Sequence, residues 1–286
     1  MPASTSPDGI VYPLATDPIA PLNVVFQDLA DSVQDALIPK VITSPVAGQK
    51  LVYNGTAWVN LTGYILRETV KFTSNGNFVK ADYPWLRAVR FTCVGGGGGG
   101  AGVILTAASQ MSLGNGGGGG VLSQSSLITD LTTLSAIESV TIGTGGTGGT
   151  GNAAGGVGGN TFVGTLVVAN GGTGGTNSGA AAAGPLVKIS DAPATGGTGD
   201  LILPGSLGGF GIGVVNTNTN TVKGGDGGLG YGESGGGLGG LGGTNGGNAP
   251  ATSYGAGGGG ASNHVSQAAR NGGNGAAGIV LVELYA

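Results

Sequence analysis

The sequence predicts a mainly β protein. It has a short N-terminal coiled-coil helix, a small β-hairpin region, and a glycine-rich β-sandwich-like domain with polyglycine-II-type tracts. Three observations carry that prediction. Glycine supplies 67 of 286 residues, against ordinary usage of about 7%. Charge is scarce, at 10 Lys+Arg and 14 Asp+Glu. From Gly95 onward, short apolar runs alternate with glycine tracts, the pattern of many short strands.

The same numbers exclude several classes. Disordered chains are charged and poor in apolar residues, whereas this one is 39% hydrophobic with mean hydropathy +0.24. Collagen needs a strict Gly-X-Y period rich in proline, and runs such as Gly95 to Gly100 break it. A net charge of −4 argues against a nucleic-acid partner. No apolar run reaches the roughly 18 residues of a membrane span, so membrane insertion is not expected. Met1 to Ile10 has no basic region followed by an apolar core, so no secretory signal is expected. The single cysteine, Cys93, admits no intrachain disulfide.

Composition changes near Val94. Residues 1–90 hold 5 glycines and residues 91–286 hold 62. Residues 1–16 are rich in Pro, Ser and Thr and read as an extended arm. Residues 17–39 read as a helix: Asp17 can N-cap, Pro18 suits the first helical position, and Pro39 closes it. Ile19, Leu22, Phe26, Leu29, Val33 and Ala36 follow at alternating spacings of three and four, an a/d seam. Such a short helix is marginal alone, so the seam is read as an oligomer core; one amphipathic helix packed on its own domain is the alternative.

Residues 40–67 hold a hairpin signal, Leu51-Val52-Tyr53 and Thr56-Ala57-Trp58-Val59 around Asn54-Gly55. Trp58 is read as packing in a small β layer, with sugar stacking as the alternative. Residues 68–286 form the glycine-rich head. In Ala88 to Val94, Val89, Phe91 and Cys93 share one strand face, and Cys93 reads as a small buried hydrophobe. Further strand-like runs include Val103 to Leu105, Leu127 to Leu134, Thr161 to Val163, Leu201 to Leu203 and Ile279 to Leu284. Between them, Thr144, Thr147 and Thr150 recur every third residue, as do Leu238, Leu241 and Thr244. A helix with three residues per turn puts such side chains on one edge and leaves the other two edges bare. Bare edges let neighbouring helices approach and exchange backbone hydrogen bonds.

Catalytic chemistry is not visible, and the chain is read as a non-enzyme without cofactor or metal. One histidine and one cysteine cannot make a zinc site. Glycine is never followed by lysine, so no phosphate-binding loop of that type exists. Phe210, Tyr231 and Tyr254 sit among glycines with little apolar company. They read equally as receptor contacts or as plugs between glycine helices. Asn263 and His264 join them as candidate contacts, with an exposed loop histidine as the plainer reading of His264.

A run of residues carries a resemblance. Asn77-Phe78 leads through Trp85 to Ala88-Val89-Arg90-Phe91-Thr92-Cys93-Val94-Gly95. Gly158-Gly159-Asn160-Thr161-Phe162-Val163 precedes Asn170-Gly171-Gly172, and Gly275 to Glu283 closes the chain. This order resembles the glycine-rich C-terminal domain of minor tail proteins and tail fibres of tailed phages, common in phages of actinobacteria. The Gly48 to Trp58 hairpin is similar to those of fibre shafts. The period-three tracts look like the polyglycine-II sandwich of T-even-type adhesins, from which this chain departs by interleaving many strands. The resemblance implies a homotrimeric virion component at the tail tip or fibre. Its N-terminal segment would join other tail proteins, and its head would meet a glycan or protein on the host surface. The alternative is a cellular glycine-rich surface protein or an ice-binding protein, the latter through Thr144, Thr147 and Thr150.

Overall fold

The computed structural model describes residues 4–5, 11–12, 49–53, 58–182, 184–215 and 220–286. The chain divides into two compact units, Met1–Ile65 and Leu66–Ala286. The coiled-coil seam Ile19, Leu22, Phe26, Leu29, Val33 and Ala36 lies outside the described residues. In the first unit, β1 (Ser4–Thr5) pairs with β2 (Val11–Tyr12), and β3 (Gln49–Tyr53) pairs with β4 (Trp58–Thr62). The register sets Tyr53 opposite Trp58, with 54–57 between them, rather than the closer pairing a two-residue Asn54-Gly55 loop would give.

The second unit runs through β5 (Leu66–Phe72), β6 (Gly76–Val79), β7 (Ala88–Val94), β8 (Gln110–Leu113), β9 (Leu122–Gln124) and β10 (Ile137–Thr141). It continues with β11 (Thr161–Val163), β12 (Val167–Ala169), β13 (Ala181–Ala182), β14 (Pro185–Lys188), β15 (Gly197–Thr198) and β16 (Leu201–Leu203). Last come β17 (Gly211–Val215), β18 (Asn220–Lys223), β19 (Ser262–Asn263) and β20 (Ile279–Tyr285). No α-helix occurs among the described residues, and the unit is mainly β. Its four sheets are antiparallel, in the orders β16-β9-β7-β20-β5, β15-β12-β11-β10-β6, β13-β8-β19 and β14-β17-β18.

The two five-stranded sheets share one apolar core. Val89, Phe91 and Cys93 of β7 alternate onto one face, as their period of two requires. Opposite them on the neighbouring strand stand Leu284, Val282 and Val280. The other sheet contributes Phe78, Val140, Val163 and Val167. Phe78 meets Phe91 edge to face at 5.5 Å and stacks on Tyr83 at the same distance. A second, smaller core joins β8 to the β14-β17-β18 sheet through Met111, Leu113, Val215 and Val222.

The run Leu127 to Leu134 does not form the strand its apolar content suggests. Asp130 accepts hydrogen bonds from the Thr132 N–H at 3.0 Å and the Thr132 hydroxyl at 2.6 Å. This local capping turns Leu131–Thr133 into one 3-10 turn. Val103 to Leu105 likewise gives only a bridge, from Val103 to Arg270.

Candidate functional site

Between the two cores the glycine tracts make a lattice, and its hydrogen bonds define it. Along Gly95 to Val103, successive N–H groups turn to three neighbours in rotation. Gly95, Gly98 and Ala101 donate to Val121, Gly118 and Asn115. Gly96, Gly99 and Gly102 donate to Gly159, Gly156 and Ala153, and Gly97, Gly100 and Val103 donate to Ala276, Gly273 and Arg270. All nine bonds measure 2.8–3.0 Å. The carbonyls face three other tracts: Gly146 and Gly149 donate to Gly97 and Gly100, Gly172 and Gly175 to Gly96 and Gly99, and Gly258 and Ala261 to Gly98 and Ala101. The return to the same neighbour every third residue is the repeat of an extended three-fold helix. This tract therefore has six neighbours and no free side.

The sequence Gly95 to Gly100 follows from that packing. A Cβ placed on Gly98 would lie 1.9 Å from the Thr173 carbonyl oxygen, and one on Gly99 would lie 1.9 Å from that of Thr147. No side chain fits, so the centre of the unit is made of backbone alone. The tract Ala256 to Ala261 is enclosed in the same way, by the tracts around Gly98, Gly117, Gly228, Gly237, Gly247 and Gly273.

Side chains edge the lattice where N–H groups face outward. Asn274 accepts from the Gly148 N–H at 2.7 Å and Asn271 from the Gly151 N–H at 3.1 Å. One tract further out, Asn248 and Asn245 accept from the backbone N–H groups of Asn274 and Asn271. The Asn-x-x-Asn spacing matches the helical repeat, so each carboxamide reaches the next tract in register. Asp226 accepts from the Gly239 N–H at 2.7 Å and pairs with Lys223. Partial burial works to raise the Asp226 pKa, but the Lys223 and Gly239 hydrogen bonds and the Lys223 charge outweigh it and lower the value. Thr144, Thr147 and Thr150 are exposed on the outer edge of their tract, where their spacing places them.

The tracts also separate two ends of the unit. Gly95 leaves β7 in the sandwich, and Val103 lies at the far end, where the segments 104–109 and 263–270 meet. Of the candidate contact residues, Tyr231 and Tyr254 lie together at the sandwich end. The Tyr231 N–H donates to the Tyr254 carbonyl at 2.8 Å, and Lys71 lies 5.9 Å from the Tyr254 ring centroid. Tyr231 is exposed and Tyr254 half-buried.

Asn263 and His264 lie at the far end. Asn263 is fully buried, and its Nδ2 donates at 2.8 Å to the carbonyls of Ile104 and Ala268. It braces the loop from inside and shows nothing to solvent. His264 is half-buried, its carbonyl accepting from the Thr106 hydroxyl. Phe210 is exposed at the lattice perimeter, just before β17. The five residues therefore do not form one site. Burial pushes the Cys93 thiol up to about 12, against a weaker opposing backbone hydrogen bond from Val163, so it is a packing residue and not a nucleophile.

Among the described residues, no group of three or more His, Cys, Asp or Glu side chains is placed to hold a metal ion, and no helix is long and apolar enough to cross a membrane. What the arrangement does offer is rigidity. Loops at the far end are tied to a lattice of backbone hydrogen bonds, and the charged side chain within them is Arg270. The Asn edging and the placement of the far-end loops escaped sequence reasoning. The Asn245/Asn248 and Asn271/Asn274 pairs were the signal that could have shown the edging.

The sequence matches the glycine-rich domain family over residues 73–285, and the chain belongs to that family. No curated protein matches it.

Proposed function

With membership of the glycine-rich domain family as the premise, we propose that the chain is a structural component of a phage tail, at the tip or fibre, that binds the host cell surface through its glycine-rich unit. In this reading the protein acts at the host exterior, as a homotrimer joined through residues 17–39 and attached to other tail proteins by its N-terminal segment. The lattice is a polyglycine-II sandwich interleaved with strands. One observation carries the reading: the lattice holds the 104–109 and 263–270 loops rigidly at the end remote from β5, where the chain enters the unit. The resemblance to phage tail proteins supports it.

Binding proceeds without bond-making. Preformed loops, with Arg270 as their one charged side chain, meet a glycan or surface protein with little ordering cost, and several copies multiply a weak contact by avidity. Leu105, Ser109, Ser266 and Ala269 are exposed at that end and are the contacts to test. The experiment is a pull-down of labelled full chain on a panel of actinobacterial cells and their purified wall glycans, at low and moderate salt. Saturable adsorption to some strains, little changed by salt, supports the reading. No adsorption to any strain counts against receptor binding. Immunogold labelling of virions tests the tail assignment separately.

A second reading rests on the exposed threonine row. Thr144, Thr147 and Thr150 make a straight array of hydroxyls at about 9 Å intervals, which suits an ice surface. Thermal hysteresis of the purified chain tests it, and its absence removes it.

A further inference from the structure

Asparagine followed by glycine readily closes a succinimide, because glycine without a Cβ lets its nitrogen approach the preceding side chain. The chain carries seven such pairs. Five of them, at Asn115, Asn170, Asn245, Asn271 and Asn274, lie in the lattice tracts. The reaction takes place within one pair. The glycine nitrogen loses its proton and attacks the asparagine Cγ, and ammonia leaves. Water then opens the ring to aspartate or to isoaspartate. Carboxamide and glycine nitrogen must both be free to meet.

In the lattice each is tied elsewhere. The Asn274 Oδ1 accepts from the Gly148 N–H at 2.7 Å, while the Gly275 N–H donates to the Gly146 carbonyl at 2.9 Å. The Asn271 Oδ1 accepts from Gly151 at 3.1 Å, while the Gly272 N–H donates to Gly149 at 2.8 Å. The Asn245 Oδ1 accepts from the Asn271 N–H, and the Gly246 N–H donates to the Asn271 carbonyl, both at 2.9 Å. Asn115 is held by the Gly211 N–H at 3.2 Å and by Asp191 at 3.1 Å, with the Gly116 N–H on Gly209 at 3.0 Å. The Asn170 Nδ2 donates to the Thr195 carbonyl at 2.9 Å, and the Gly171 N–H to the Asn160 Oδ1 at 3.0 Å. Burial is not what separates the reacting groups, since Asn245, Asn271 and Asn274 are exposed and water and base reach them.

We infer that these five asparagines are modification sites which the lattice keeps unreacted, and that their conversion to isoaspartate is the route by which the fold is lost irreversibly. The two products differ in consequence. An aspartate at position 274 still has an oxygen to accept from Gly148. An isoaspartate carries the main chain through its side-chain carbon and lengthens the tract by a methylene group. Each tract meets the same neighbour every third residue, so Gly275 and Ala276 would then miss Gly146 and Ala256. A converted tract cannot return to its place. Reaction therefore needs the lattice to open first, and its native rate is the unfolded rate multiplied by the open fraction. This inference does not depend on the virion reading.

The test is ageing of the full chain in mildly alkaline buffer, native and in denaturing urea, followed by peptide mapping that separates Asn, Asp and isoaspartate. In denaturant all five sites should convert. In native buffer Asn245, Asn271 and Asn274 should convert at least about a hundredfold more slowly despite their exposure. Sub-denaturing urea should raise their conversion in step with amide exchange at Gly97 to Gly100. After removal of urea, aspartate should be found at these positions in the refolded fraction, and isoaspartate only in chains that fail to refold. Native conversion of Asn271 or Asn274 within a few-fold of the denatured rate would overturn the inference. So would isoaspartate at either position in refolded chains whose Gly97 to Gly100 amides are protected.

Discussion

The sandwich and the lattice hold together by opposite means. In the sandwich, Phe91, Val282 and Leu284 have no exposed surface, and cohesion comes from apolar side chains removed from water. In the lattice, Gly97 to Gly100 are equally buried yet have no side chains, and cohesion comes from N–H···O bonds of 2.8–2.9 Å to neighbours on all sides. The first region tolerates no loss of volume and the second tolerates no gain. Glycine loses more backbone entropy on ordering than other residues, so the lattice is stable only as a dense array in which every buried backbone group is paired. Strands that run straight into tracts, as β7 runs into Gly95, let the sandwich fix the register of the lattice.

The largest expected effect sharpens that contrast. Adding one methyl group at Gly99, where a Cβ would meet the Thr147 carbonyl oxygen, should unfold the lattice or cost more than about 4 kcal/mol, measured by chemical denaturation. Removing a whole ring with Phe91→Ala should cost about 3–5 kcal/mol by the same measurement. A Gly99→Ala variant within about 0.5 kcal/mol of the parent would break the contrast.

A smaller effect is expected at the edge. Asn274→Ala leaves the Gly148 N–H to water, which should cost about 0.5–1.5 kcal/mol, and Thr147→Val on the outer edge should stay within about 0.5 kcal/mol. The smallest concerns pH. The lowered pKa of Asp226 contributes stability that is present above its unfolded value, about 3.9, and is lost as pH falls through the lower folded value. Thermal melts between pH 5 and pH 2 should show a steeper decline in the parent than in Asp226→Asn, by a small margin because the pair is partly exposed.

Much of this was legible in the sequence. The alternation of Val89, Phe91 and Cys93 placed them on one face, and the core confirms it. The period of three in Thr144, Thr147 and Thr150 placed them on one outer edge, where they stand. Other features were not legible because they depend on which tracts become neighbours. Nothing local in Ala261 to Val265 distinguishes a buried Asn263 from an exposed one; its role comes from Ile104 and Ala268 closing over it. Leu201 to Leu203 reads as a strand by composition and is one, but only its place at a sheet edge leaves all three side chains exposed. Tyr231 and Phe210 looked alike amid glycines, yet tract direction sends them to different parts of the unit. In Leu127 to Leu134 the apolar count pointed to a strand, and Asp130 decided otherwise.

The most direct measurement is amide hydrogen exchange on the full chain, comparing the glycines at 97–100 and 257–260 with the paired amides of β7 and β20. Protection in both glycine tracts as strong as in the strands is the expected result, since both regions then open only with the whole unit. Glycine amides that exchange orders of magnitude faster than those of β7 would contradict a centre held together by its backbone.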